Sequence, residues 1–513
     1  MESIQITNIR SFAKTPSVKI RPITLLVGQN SSGKSTFARL IPLIKQSAEV
    51  RAREPFLWLG RLVDFGGVSE TLSRFRQTST LGLSIEIKIP PHLLDGRRRI
   101  FYSTGNKNHE LIRLSIIYNF LEDSTTVKNY EYSVSYLSQK IDIHISEAGL
   151  VERINVNGRV IENTWFNKLL VSSWTGPFPV FVLSDEVLDE QENDLSELYK
   201  FVRANMEKRT GEERVDQVVN YLVSGPVTSL KHRAALAPSG DNFWKRRIKK
   251  WASDSDELKK LNDLVLIQQF FTDTSARISQ HLKRSALSYR YVTPLRASAE
   301  RYYRLQGLSI EEIDPQGQNI AMYLHNLTYW EKSDFSKWME KFFGVTVDTQ
   351  SSQGHVQLIL KSADEDDQKG INLADTGFGY SQLIPILLQL WSIGFRNTSS
   401  RSNTSTPVIF SIEQPELHLH PRLQAKLADV FIDTINAARS ADIDLRLIIE
   451  THSEQIISRL GVRVAKNPAL REDVSVVIFD KQKMNAPTEV REIEYAESGS
   501  LKSWPYGFFE ADD

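Results

Sequence analysis

The stretch that most restricts this chain is Gly28-Gln29-Asn30-Ser31-Ser32-Gly33-Lys34-Ser35. The residues before it, ITLLV, are wholly apolar, as in a strand covered on both faces. After it, Phe37, Leu40, Ile41 and Ile44 recur at helical spacing. A G-x-x-x-x-G-K-[ST] pattern between a strand and a helix is a phosphate-binding P-loop. Its glycines let the backbone curl until several N–H groups face phosphate oxygens, and the helix N-terminus adds its positive end. The predicted binding residues are Gly28, Asn30, Ser31, Ser32, Gly33, Lys34, Ser35 and Thr36. Lys34 would reach the β- and γ-phosphates, and Ser35 would ligate Mg²⁺. This loop alone does not separate ATP from GTP.

The rest of the chain predicts an α/β protein in three parts. Residues 1–185 carry the P-loop and a run of strand-like segments, among them LGLSIEIKIP, IRLSIIYNFL, YEYSVSYL and KIDIHIS. Turn signals, including an Asn-Gly pair at 157–158, divide or interrupt them, so an antiparallel β subdomain is expected. Residues 186–290 turn helical, with a short apolar stripe at Leu258, Leu261 and Val265 and no sustained heptads. Residues 291–513 return to alternation: VQLILKS, VIFSIE, LRLIIE and VSVVIFDK as strands, SQLIPILLQLW and RLQAKLADVFIDTINAA as helices. That order argues for a mostly parallel sheet. KSADEDDQKG and RNTSSRSNTSTP read as exposed loops.

Composition removes whole classes of chemistry. There is no cysteine, hence no disulfide, zinc–thiolate site or cysteine nucleophile. The formal net charge is zero, so no global field draws the chain to nucleic acid. No apolar run approaches a membrane span, and MESIQITNIRSF lacks the pattern of a signal peptide. A cytoplasmic protein without membrane contact is expected.

Three further stretches look chemical. PVIFSIEQPELHLHP ends an apolar strand on Glu413, an acid that must be paired or bind a cation if buried. INLADTGFGYSQLIPILLQLW sets Gly377 and Gly379, with Ser381 and Gln382, at the start of an apolar helix, a second anion-binding helix N-terminus. IIETHSE places His452 just past a strand. Two basic segments, WKRRIKKW (244–251) and GRRR (96–99), carry the cations and, in the first, the aromatic rings that suit DNA or RNA; a solvated helix face is an equal reading of each.

Taken in order, these motifs resemble the ATP-binding-cassette (ABC) ATPase heads of the SMC and RecF class. SIEQPELHLHP, DTGFGYSQLIP, IIETHSE and GSLKSWPYGFFE are closer still to the ATPases of bacterial antiphage defence: the Septu ATPase, the OLD family, the PARIS ATPase and retron-linked ATPases. The resemblance implies an ABC-type head with an antiparallel β subdomain and a helical insertion, binding ATP and Mg²⁺. Glu413 aligns with the Walker B acid and would hold Mg²⁺ through water. His452 would sense the γ-phosphate. Thr376 or Ser381, with Gly377, Gly379 and Gln382, would close over the ATP of another protomer in a homodimer or higher homo-oligomer. The resemblance places His418 and His420 in the D-loop at that interface, a reading preferred over a metal site because two histidines without a third convergent ligand are weak evidence for one.

Gln414 stands where many such heads carry a catalytic glutamate. An amide orients a water but cannot take its proton. Either Glu416 supplies the carboxylate, or hydrolysis is slow and the site acts chiefly as an ATP-stabilised clamp; slow hydrolysis is the favoured expectation. No run resembles a nuclease, so a separate effector, an HNH-type nuclease or a toxin, is the expected partner. The rivals are a RecF-like DNA-repair ATPase and an ATP-gated scaffold that sequesters an effector without touching nucleic acid.

Overall fold

The computed structural model describes residues 1–94, 109–121, 124–161, 169–183, 197–225, 229–307, 310–362, 370–395, 407–483 and 485–504. GRRR (96–99) and most of the loops 361–370 and 396–407 lie outside them, as does the end of GSLKSWPYGFFE. The fold is mixed α/β, with helices and one large antiparallel sheet. It divides into two compact units: residues 1–9, 46–59 and 65–287 form one, and residues 10–45, 60–64 and 288–513 the other.

The second unit is built on a six-stranded sheet. Arg290–Val292, Val408–Glu413, Leu445–Glu450, Ile23–Gly28 and Val474–Asp480 run parallel in that spatial order, and Glu489–Ile493 is added antiparallel at the edge. Every residue of ITLLVG, VIFSIE and LRLIIE is buried. Such continuous apolar runs are what a parallel sheet covered on both faces requires. Their side chains share one core with Leu383, Leu387, Leu427, Phe431, Ile456 and Leu460 of the helices Phe378–Gly394, Pro421–Ser440 and Glu454–Lys466. Each such leucine or isoleucine contributes roughly 1.5–3 kcal/mol by leaving water.

VQLILKS does not join the parallel sheet. The strand His355–Ser362 pairs antiparallel with Val345–Ser352 in a separate small sheet. Gln353 and Gly354, at φ 48° and 79°, make the tight turn between them. The polar stretch VDTQSSQG hides the first strand of that hairpin from a hydrophobic pattern.

In the first unit, Arg159–Ile161, Val151–Val156, Gln139–Ser146, Val127–Tyr136, Glu110–Phe120, Thr80–Ile89 and Ser3–Ile9 follow one another in antiparallel register. Asn157 and Gly158 form the expected turn with φ 52° and 84°. Helices from Glu197 to Leu287 follow. Leu258, Leu261 and Val265 are buried together, as their spacing predicts. A five-residue π-helical stretch, Phe270–Thr274, links Asp256–Gln269 to Ser275–Leu287. Among the described residues, no helix is long and apolar enough to cross a membrane.

One close approach fastens the C-terminal loop to the second unit. A Cβ at Gly461 would lie 2.3 Å from the carbonyl oxygen of Gly499, which itself has φ +82°. Gly461→Ala therefore forces two backbones apart and is expected to destabilise the protein by about 1–3 kcal/mol, the usual overpacking cost, read from its denaturant midpoint. An unchanged midpoint would show that the loop yields freely.

Candidate functional site

The P-loop curls at the C-terminal end of Ile23–Gly28, where open α/β sheets bind ligands. A side chain at Gly28 would strike the Phe479 carbonyl at 2.3 Å, so only glycine fits between the strands there. Gly33 caps the helix Lys34–Ala38 at φ 99°, a conformation that L side chains rarely adopt. Lys34 Nζ donates to the carbonyls of Gly28 (3.0 Å) and Gln29 (2.7 Å). Thr488 Oγ1 holds the loop by donating to the Ser32 carbonyl at 2.8 Å. A cavity of about 330 Å³ opens over this loop. Asn30, Ser31 and Gly33 to Thr36 line it, together with Gln414, Glu450 and His452. Burial lowers the Lys34 pKa, and Glu450 and Glu416 oppose that.

Two carboxylates stand side by side at the strand ends. Glu413 and Glu450 are register partners on adjacent parallel strands, 1% and 2% exposed. Their partners differ. Arg39 grips Glu413 with two bonds, Nε to Oε1 at 2.8 Å and a terminal nitrogen to Oε2 at 2.9 Å. The Tyr291 hydroxyl donates to the same Oε1 at 2.6 Å. These bonds hold the Arg39 pKa above its ordinary value. Glu450 accepts from Ser35 Oγ at 2.8 Å through Oε1, and its Oε2 is buried with no hydrogen-bond partner. Burial first, then the charge of Glu413, raises Glu450 to about 7.

Gln414 follows Glu413 with φ 43°, its N–H donating to the Glu450 carbonyl at 2.8 Å. Glu416 is otherwise engaged. Its oxygens accept from Thr451 Oγ1 (2.9 Å) and from the His452 N–H (2.7 Å), and burial raises its pKa. It thus pins the turn that carries His452. Burial and the nearby Lys34 charge depress the His452 imidazole to about 4, so it is neutral at neutral pH. Its Nε2 is buried without a hydrogen-bond partner. Arg296, 6% exposed, donates to the Glu413 carbonyl at 2.8 Å and the Gln414 carbonyl at 3.3 Å. Gln382 brackets the Arg296 backbone, accepting from its N–H at 3.1 Å and donating to its carbonyl at 3.0 Å.

The glycine loop stands apart from this cavity, none of whose described lining residues comes from 376–382. Gly377 has φ 74° and caps Phe378–Gly394, with Phe378 61% exposed. Ser381 is buried and donates to the Phe378 carbonyl at 2.8 Å, while Thr376 is half-buried and bonded to Leu373. The exposed His418 packs against the Phe378 ring (centroids 5.8 Å apart), and His420 caps the helix Pro421–Ser440. Among the described residues, no three or more of His, Asp and Glu are grouped so as to hold a metal ion by themselves.

For Trp244 the aromatic part of the WKRRIKKW reading fails. Trp244 is fully buried, its indole N–H donating to the Ala234 carbonyl at 2.8 Å, and Trp251 packs edge-on against it. The Trp244 ring is not free to stack on a base, and that of Trp251 is partly covered. Arg246, Lys249 and Lys250 remain exposed. Sequence reasoning missed Arg39, Tyr291, Arg296 and Glu450. For Glu450 a signal existed: LRLIIE repeats the form of VIFSIE, an apolar strand ending in an acid.

The donor set suits a triphosphate with Mg²⁺: loop amides and Lys34 for phosphate, Ser35 and a carboxylate for the cation. No curated protein matches this chain. Similar solved structures include the SMC head domain from Thermotoga maritima, at 9% identity and a TM-score of 0.35, covering 96% of this chain and 97% of that one. The Smc head domain bound to the C-terminal domain of ScpA from Pyrococcus furiosus gives 11% and 0.32, covering 96% of each chain. The recombination mediator protein RecF gives 11% and 0.28, covering 96% and 97%. These likenesses are remote and carry no functional weight. Residues 1–457 match the family model described as AAA ATPase domain, and the chain belongs to that family.

Proposed function

We propose that this chain is a slow, ABC-type ATPase that closes head to head around ATP and works as a nucleotide-gated clamp. The observation that carries the reading is the composition of the cavity wall. The phosphate-binding side is complete, while the residue after the Walker B acid is an amide, Gln414. Glu416, the other candidate base, is occupied by Thr451 and His452. Ser35 and a strand-end carboxylate would hold Mg²⁺, which when bound would supply neutralisation of phosphate charge. Lys34 would bind the β- and γ-phosphates. Neutral His452 would meet the γ-phosphate through its unpartnered ring nitrogen. Gln414 would orient a water without taking its proton. The glycine loop at Thr376, Gly377 and Gly379 would supply donors to the outer side of the triphosphate of a second copy, as the resemblance to SMC and RecF heads implies. On the resemblance to antiphage ATPases, the clamp would control a separate nuclease or toxin, with DNA or RNA as a candidate trigger.

Lys34→Ala is expected to abolish ATP binding by calorimetry; wild-type affinity in that variant would remove the P-loop assignment. Gly377→Asp, which puts a negative charge on the exposed loop, should leave ATP binding to the monomer intact and abolish ATP-dependent dimerisation in analytical ultracentrifugation. A dimer that persists would refute closure in trans. Gln414→Glu should raise kcat by about tenfold or more at similar ATP affinity, since a general base contributes typically 10²–10⁴-fold. Glu416→Gln should lower kcat by less than about tenfold, because an amide still bonds part of the His452 turn. Total loss of turnover with ATP still bound would instead make Glu416 the base.

A further inference from the structure

A second cavity, of about 620 Å³, lies within the first unit, and none of its described lining residues belongs to the P-loop. Two hairpin ends, at Gln139 and at Asn157 to Arg159, face the helices Leu230–Leu236 and Asp256–Gln269 across it. Its size is that of a small-molecule site, about 300–1,000 Å³.

The floor is polar and ordered. Asp263 is 3% exposed, and Asn157 Nδ2 donates to its Oδ1 at 3.1 Å. The same nitrogen donates to Gln139 Oε1 at 2.8 Å, and Asn262 Nδ2 donates to that oxygen at 3.1 Å. The Lys140 N–H donates to Asn157 Oδ1 at 2.9 Å and so fixes which way the Asn157 amide points. With its oxygen taken twice, Gln139 keeps its amide N–H groups to donate, and Asn262 keeps its side-chain carbonyl to accept. Burial raises the Asp263 pKa against the opposing pull of Asn157, Arg159 and Asn262, so the ionised carboxylate gains from any further donor.

The rim is cationic. Arg159 pairs with Asp256 at 3.2 Å, but that carboxylate is 90% exposed and water weakens the pair. Lys231 and Lys259 line the cavity and have no ion-pair partner among the described residues. Leu230 and Leu258, both buried, add an apolar wall.

These features make different demands on one ligand. The cations call for an anion. The amides and Asp263 call for an edge that carries both donors and acceptors. The leucines call for an apolar face, which a sugar phosphate lacks. A nucleobase has both the edge and the face, and bases are read in pockets by hydrogen bonds to their edges and contact with apolar side chains. We propose that this cavity binds a nucleotide, with its base edge on Asp263, Gln139 and Asn262 and its phosphate at Lys231 and Lys259. A free mononucleotide and an unpaired nucleotide of a strand present the same chemistry. The site is separate from the P-loop and does not depend on the function proposed for it.

The test is calorimetry on the full chain carrying Lys34→Ala, which removes the P-loop contribution. The probes are the ribonucleoside 5′-monophosphates, the corresponding nucleosides, inorganic phosphate and a short single-stranded oligonucleotide of mixed sequence. At least one monophosphate should bind with a Kd below about 1 mM, and about tenfold or more tightly than its nucleoside or inorganic phosphate. Replacing Lys231 and Lys259 together by Ala should weaken that binding by about tenfold or more, because both charge-assisted phosphate contacts are lost. Neither side chain is buried, so this variant is expected to fold. Asp263→Asn, nearly the same in shape, should change the ranking of the bases. Tighter binding of the oligonucleotide assigns the site to a strand, and tighter binding of a monophosphate assigns it to a free nucleotide. No binding by any probe, inorganic phosphate as tight as the nucleotides, or binding unchanged in the double lysine variant would overturn the site. An unchanged base ranking in a folded Asp263→Asn protein would overturn the placement of the base.

Discussion

Everything at this site follows from burying Glu413 and Glu450 beside each other on adjacent strands. Two carboxylates so placed, shielded from water, repel each other strongly when both are ionised. The structure separates them by partner. Arg39 and Tyr291 satisfy one, and Ser35 with an uncommitted oxygen characterises the other. Arg39 falls between the short helix Lys34–Ala38 and the helix Leu40–Glu49, so the chain that makes the phosphate loop also supplies the guanidinium that stabilises the neighbouring acid. Lys34, five residues earlier, faces the other acid's field. One segment of sixteen residues, Lys34 to Glu49, therefore delivers phosphate binding and charge compensation together.

A second layer of order comes from buried groups that touch main chain rather than ligand. Glu416 ties the turn after Leu445–Glu450 to the turn after Val408–Glu413 by accepting from Thr451 and His452. Arg296 binds the carbonyls of Glu413 and Gln414 from a third segment, and Gln382 fixes Arg296 in turn. Gln382 belongs to the helix that begins at the exposed glycine loop. A chain of direct hydrogen bonds thus runs from that helix to the residue flanking the phosphate pocket.

Much of this is legible in the sequence alone. The P-loop, the all-apolar strands and the Asn157-Gly158 turn each follow from a local rule that tertiary packing had no reason to override. The misreadings share another cause. VQLILKS has the apolar run of a parallel strand, yet a polar hairpin partner captures it, and polar sequence gives no periodic signal. Trp244 carries surface-like neighbours, but helical spacing turns its ring into the core, and Trp251, just past the helix end, packs partly buried against it while the cations face water. Which acid faces Ser35 is a matter of strand order, and strand order is set by pairing between segments hundreds of residues apart. No local pattern records it.

The resting place of Lys34 has a consequence for selectivity. Its ammonium already has two carbonyl acceptors, from Gly28 and Gln29. An incoming anion gains only the difference between its own bonds to Lys34 and those two. Those carbonyl bonds are already charge-assisted through the ammonium, so the gain depends on how many charged oxygens the anion brings to it. A monovalent anion with one contact exchanges two such bonds for one, whereas the terminal phosphates of a triphosphate bring several charged oxygens at once. The two carbonyls therefore set a threshold that an anion crosses by the number of charged oxygens it presents together, before shape is tested at all.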